Sequence, residues 1–129
     1  MAYTLTLDHP AKLVRYRHEG VIQRTELDAA WTDLMAMEEF TQRQYNLLSD
    51  YRNSTFDIPL RYAYDIAAFM SGVRPILDGK RQAIIVDNAF SSAASTLLAG
   101  LARINAGFII KVFSTLDAAE RWLASGAHR

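Results

Sequence analysis

No cysteine occurs among the 129 residues. That absence removes disulfide bridges, thiolate nucleophiles and thiolate metal sites together. An excess charge of either sign is also missing, since 14 Lys and Arg stand against 14 Asp and Glu. A dedicated nucleic-acid binder carries a basic excess that displaces counterions from phosphates, so no nucleic-acid partner is expected. The most apolar stretches, 83–86 and 93–110, are interrupted by Asp87, Asn88, Arg103 and Asn105, too soon for a membrane span of about 20 residues. The opening MAYTLTLDHP has no basic segment leading into an apolar run. No secretory signal is therefore read, and a cytoplasmic location is the expectation. Neither GxGxxG nor a Walker pattern is present, and His9, His18 and His128 share no metal-ligand spacing, so no nucleotide, metal or other cofactor is expected.

Half of the residues, 50%, are hydrophobic, enough for folding to bury roughly two-thirds of the unfolded chain's surface around one core. No repeat, low-complexity tract or linker divides the chain, and residues 1–129 read as one domain. Tyr3, Leu5 and Leu7 alternate with Thr4 and Thr6, and a second alternating run covers 13–18 after the turn at Asp8, His9 and Pro10. Period two of this kind predicts a hairpin with one buried face. From Thr25 the period lengthens: Leu27, Ala30, Trp31, Leu34 and Met37 share one helical stripe, which predicts a helix over 25–39 opened by Thr25 and Asp28.

The short apolar run 45–50 predicts a central strand, followed by a loop over 51–57. Pro59 suits a helix start, and Asp57 a cap, for a helix over 59–71 bearing Leu60, Ala63, Tyr64, Ala67 and Met70. Residues 82–87, centred on Ala83, Ile84, Ile85 and Val86, read as a strand buried on both faces. Asn88 is a good cap for a third helix whose stripe is Phe90, Ala93, Ala94, Leu97, Leu98, Leu101 and Ile104 and which ends at Gly107. A fifth strand covers 108–113, and Ser114 with Asp117 opens a last helix that stops near Gly126. The order β-β-α-β-α-β-α-β-α gives an α/β fold: a mixed five-stranded sheet, part of it parallel, with four helices.

Ligands in such folds gather at the C-terminal ends of parallel strands beside helix N-termini. Three points qualify, 50–57, 87–92 and Ser114, and the first two hold candidate residues. Asp50, Arg52, Asp57 and Arg61 form one candidate recognition patch, with a plainer alternative in which Asp57 caps a helix and Asp50 and Arg52 form an ordinary ion pair. Asn88 and Ser91 sit in the second, where free backbone N–H groups could meet an anion, although no glycine lets a phosphate approach closely. Ser91, Ser92 and Ser95 read better as small first-turn residues than as nucleophiles, because no activating base accompanies them. Trp31, Tyr64, Phe69, Phe113 and Trp122 fall at core-compatible positions; Tyr45, Tyr51 or Tyr62 would be more informative if exposed. No catalytic set is recognised.

The hairpin ending in glycine, the helix start Thr25-Glu26-Leu27, the strands YNLLSDYR and QAIIVDN and the closing IIKVFSTLDAAERWL resemble the SpoIIAA-like proteins. That group is of bacterial STAS type and is related in fold to the lipid-carrying CRAL-TRIO domains. In STAS anti-sigma-factor antagonists an Asp-Ser-Ser-Gly motif carries a phosphorylated serine. Here Asp57 matches the aspartate while Ile58, Pro59 and Leu60 replace the rest, so the resemblance implies a frame without the usual serine switch. Ser54 and Thr55 lie just upstream. The expected function is a non-enzymatic regulatory module that binds a protein partner through the edge carrying Asp50, Arg52, Asp57 and Arg61. The alternative is a small-molecule or lipid-binding domain, in which the apolar helix over 59–71 or that over 88–106 swings to open a pocket. Either a monomer or a homodimer fits.

Overall fold

The computed structural model describes residues 3–125. The N-terminal alternation builds an antiparallel hairpin, β1 (Tyr3–Asp8) with β2 (Leu13–His18), in which Tyr3 pairs with His18 and Asp8 with Leu13. Parallel strands then add to one side of β2: β4 (Asn46–Asp50), β6 (Arg81–Ile85) and β7 (Ile109–Phe113). The order is β1-β2-β4-β6-β7. This is the expected mixed five-stranded sheet. Two further strands, β3 (Gly20–Gln23) and β5 (Ser54–Asp57), pair in parallel as a separate small sheet. Seven strands are therefore described where five were expected.

The main sheet has two unlike faces because successive side chains point to opposite sides. Val14, Leu47, Ile84 and Val86 share the inner core with the α-helices α1 (Arg24–Met35), α3 (Tyr62–Gly72) and α5 (Ala89–Ala106). Leu13, Leu48, Ala83 and Ile85 form a smaller outer core under α6 (Leu116–Ala124). Two single turns, α2 (Glu38–Thr41) and α4 (Arg74–Leu77), bring the described helices to six instead of four. The first arises where the helix expected over 25–39 ends early, at Met35, and the second just beyond α3: the chain turns at Ala36 and at Val73, whose N–H groups bond back to Asp33 and Met70, and starts again.

Three helix starts differ from expectation. At α1 the chain stays extended through Gln23, so the cap falls there, and the Glu26 carboxylate accepts the Gln23 N–H at 3.2 Å in place of Thr25 and Asp28. α3 begins at Tyr62 rather than Pro59. Residues 54–57 are drawn into pairing with 20–23, so Asp57 lies in a strand and caps nothing, and 59–61 form tight turns ahead of the helix. At α6 the cap is Thr115, whose hydroxyl accepts from the Ala118 N–H at 3.2 Å, one residue after Ser114. The expected stop near Gly126 and the residue His128 lie outside the described residues.

α5 starts after the Asn88 cap and ends at Gly107, as expected, Gly107 taking the left-handed conformation at φ 64. Its inner stripe is shifted, however. Ser91, Ser95, Ala102 and Ala106 are buried, while Phe90 and Ile104 are exposed. Small residues let α5 approach both the sheet and α3, and the larger apolar side chains are left to the flanks. Tyr64 and Phe69 likewise lie exposed on α3 instead of in the core, and Tyr45, Tyr51 and Tyr62, which the sequence left unplaced, are buried.

One buried cation ties the lower end together. Lys80 donates to the carbonyls of Phe40 at 2.7 Å and Tyr45 at 3.0 Å and lies over the Phe40 ring. Burial pushes its pKa down from 10.5 to about 8. Between these values the unfolded chain holds a proton that the folded chain releases, so stability rises with pH there. The full shift from 10.5 to about 8 corresponds to on the order of 3 kcal/mol. Above about pH 10 the trend reverses, because the ammonium shift is exhausted and the buried tyrosines Tyr16, Tyr51 and Tyr62 resist ionising. Urea midpoints taken across pH should climb from about 8 toward 10 in the native protein, and Lys80→Met should flatten the climb.

Candidate functional site

The polar residues singled out at the strand ends do not converge. Asp50 closes β4 on the outer face, with its carboxylate bound by Arg17 Nη1 at 2.8 Å and by Arg52 Nε at 2.9 Å and Nη2 at 2.7 Å. Burial alone would raise that carboxyl, but the hydrogen bonds and charges of Arg52 and Arg17 outweigh it and hold the pKa below the ordinary 3.8. The cluster is thus saturated from within the chain. Asp57 and Arg61 are exposed, and among the described residues no hydrogen bond or ion pair joins their side chains to Asp50 or Arg52.

Asn88 is committed to structure. Its Oδ1 accepts the Ser91 N–H at 2.8 Å and its Nδ2 donates to the Ser54 carbonyl at 3.1 Å, tying α5 to β5. Ser91 is fully buried, and its hydroxyl finds no partner. Ser54 is also buried, donating to the Tyr51 carbonyl, and Thr55 is exposed in β5. Among the described residues, no group of three or more His, Asp or Glu side chains could hold a metal ion.

A different site lies on the inner face. α3, α5 and the sheet enclose a cavity of about 60 Å³, floored by Tyr51, Gln82 and Ile84 and walled by Ala63, Ile66, Ala94 and Leu98, with Trp31 reaching in from α1. Leu60 and Phe90, both half exposed, also line it and mark its opening. No charged residue lines the cavity. Its polar groups are Gln82 and Ser95, both buried, beside the tyrosines. A groove of about 450 Å³ between α1 and α3 shares Leu27, Trp31, Tyr62 and Ile66 with the cavity, so these four side chains partition one from the other.

A polar latch crosses that groove. Arg24 lies 4.2 Å over the Tyr62 ring and 3.6 Å from Asp65, and the Tyr62 hydroxyl donates to Asp28. Burial first, and then the bond to Asp28, pushes the Tyr62 hydroxyl up to about 12.

Behind the cavity floor runs a buried polar chain. Gln82 Nε2 donates to Ser49 Oγ at 2.8 Å, and the Tyr51 ring meets the Tyr16 ring edge to face, 5.5 Å between centroids. The Tyr16 hydroxyl meets His18 Nδ1 at 2.6 Å, and His18 Nε2 faces the Glu26 carboxylate at 3.7 Å. That last separation exceeds a hydrogen bond, and His18 Nε2 is buried without one. These residues share the inner face because they alternate along paired strands: Tyr16 pairs with Ser49, and Leu47 with Gln82. Burial pushes the Tyr16 and Tyr51 hydroxyls up, keeping both protonated.

The sequence reading did not find this site. Gln82 was visible as a polar residue opening an apolar strand, but a lone glutamine carries no motif. Ser95 was passed over as a helix residue, and the exposed Phe90 was placed in the core.

No family model and no curated protein matches the sequence. Among solved structures the fold is similar to that of an uncharacterised protein of the DUF3478 family, with a SpoIIAA-like fold, from Shewanella loihica PV-4. The two are 15% identical over 95% of this chain and 94% of that one, with a TM-score of 0.55. The fold of this chain is SpoIIAA-like.

His18 supplies a test of the buried chain. Burial holds its pKa below the ordinary 6.5, against the pull of Glu26. Below 6.5 the unfolded chain takes up a proton that the folded chain declines, so stability falls on acidification and levels off below the folded value. Asp50 acts lower, losing its contribution only as pH drops through a value under 3.8. Urea midpoints should decline between about pH 6.5 and 5; His18→Phe, whatever its overall stability, should remove that slope.

Proposed function

We propose that this protein is a binding module that holds a small, uncharged, largely apolar molecule between α3, α5 and the inner face of the sheet. The observation that carries this reading is the cavity: it is lined mostly by apolar side chains, free of charge, and opens to the surface between Leu60 and Phe90. Ligand sites are concave and mostly apolar, with a few placed polar groups. Unfilled, a cavity of about 60 Å³ costs the fold on the order of 1 kcal/mol, which a ligand recovers. No reaction is assigned to the site. The tyrosines that line the cavity, Tyr51 and Tyr62, are held protonated by burial, and His18 is fully buried behind Tyr16 and faces Glu26 rather than the cavity.

Leu60, Tyr64, Phe69 and Phe90 are the observation that favours a second reading, a regulatory module docking a protein partner, since they leave apolar surface along α3 and beside the cavity mouth. In that reading the phosphoserine switch is absent, because Ile58 and Pro59 precede α3 where the family motif places serines.

Toluene distinguishes the two. At ten times its Kd a ligand adds about 1.4 kcal/mol to stability, which raises Tm by roughly 4 °C for a chain of this size. The native protein should show such a shift. Ala94→Leu, which fills the cavity from α5, should keep the fold and lose the response. No shift at saturating toluene would contradict the binding reading.

A further inference from the structure

Aromatic and acidic side chains meet in the groove between α1 and α3, outside the uncharged cavity. Trp31, Tyr62 and Phe69 line its wall, the Trp31 and Phe69 rings standing edge to face at 6.2 Å between centroids. Asp28 and Asp65 line it too, both more than half exposed, and among the described residues Arg24 is the one cation there. The Arg24 guanidinium lies 4.2 Å over the Tyr62 ring, 4.0 Å from Asp28 and 3.6 Å from Asp65. Both ion-pair distances exceed a hydrogen bond, and pairs this exposed contribute little to stability. Arg24 also opens α1, where the positive end of the helix opposes a cation. It lies over the ring because the aromatic face and the two carboxylates outweigh that opposition. One guanidinium between two carboxylates leaves the groove a negative charge in excess.

From this arrangement we infer that the groove is a second binding site, for a small organic cation: a quaternary or alkylated ammonium on a short apolar body, which displaces Arg24 from the Tyr62 ring. Aromatic faces attract cations through the ring quadrupole, and Arg24 marks the position that the ligand's charge takes. One positive charge complements the excess carboxylate, whereas an anion would face Asp28 and Asp65. An alkylated ammonium leaves water more readily than a bare one, which is compact and strongly hydrated, so it suits walls made by Trp31, Phe69 and Met35. The groove is open to solvent along Thr32 and Phe69, both exposed, and its volume of about 450 Å³ is that of a small-molecule site. Neither Asp28 nor Asp65 lines the cavity, so this site stands apart from the binding reading above.

Choline and dimethylbutanol, its uncharged isostere with carbon in place of the nitrogen, test this on the full chain labelled with fluorotryptophan. The two tryptophans separate the faces of the sheet: Trp31 lines the groove, and Trp122 lies on α6 over the outer face. Choline should shift the Trp31 fluorine resonance to saturation and leave Trp122 unmoved, with the alcohol about tenfold weaker. Arg24→Gln clears the ring and keeps both carboxylates, so it should tighten choline about threefold. Asp65→Asn should weaken choline by about the same factor and spare the toluene response of the cavity. Both substitutions fall at exposed positions, where the fold tolerates them. Equal affinity for choline and the alcohol would overturn the charge basis of the site. Choline binding unchanged by Arg24→Gln would overturn its place over the Tyr62 ring. A Trp31 resonance that choline does not move to saturation would overturn the inference as a whole, while a toluene shift would still uphold the cavity.

Discussion

A polar group taken out of water costs least beside another, and on the inner face of this sheet six such residues lie together. Glu26 sits in the first turn of α1; His18 and Tyr16 alternate along β2; Ser49 and Tyr51 belong to β4 and its continuation; Gln82 lies in β6. Hydrogen bonds join Tyr16 to His18 and Gln82 to Ser49, and the Tyr16 and Tyr51 rings meet edge to face, so the group ties three strands together on the face that carries the larger core.

The space itself comes from the choice of small side chains. α5 turns Ser91, Ser95, Ala102 and Ala106 inward, and α3 turns Ala63 and Ala67. Two helices with such faces pack closely along most of their length. Near the start of α3 the chain comes in from β5 through Ile58 and Pro59, and no large side chain fills the gap behind them. The outer face is built otherwise. Only α6 covers it, and where α6 ends its cover, Arg17 and Arg52 pair with Asp50 at the surface and Arg17 also with Glu19. One face is thus closed by internal charge pairing and the other left with an unfilled apolar volume.

Much of this was legible in the residues. Alternation in 3–8 and 13–18, the buried run expected over 82–87 and found as a strand over 81–85, the Asn88 cap and the Gly107 stop all follow from local rules. The SpoIIAA-like fold was legible too. What escaped were features set by tertiary pairing. β3 and β5 are four residues each and exist because they find one another across the chain, which moved the start of α3 and removed Asp57 from its cap. On α5 the largest apolar residues drew the stripe one position off the buried one, because periodicity weighted by hydrophobicity cannot see that a close approach selects serine and alanine. The cavity and the polar residues beneath it join positions far apart in sequence, and no spacing announces them. Among the candidate residues, Asp50 and Arg52 do meet, while Asp57 and Arg61 stand apart.

The location of a bound probe tests the central claim most directly. Nuclear Overhauser contacts from toluene protons to methyl-labelled protein would map it atom by atom. Contacts should run to the methyl groups of Ile66, Ile84 and Leu98, which surround the cavity between α3, α5 and the sheet, and none to Leu48 or Leu116 on the outer face. Contacts confined to the outer face, or to Leu60 at the surface without Ile84 beneath it, would contradict the assignment of the cavity as the site.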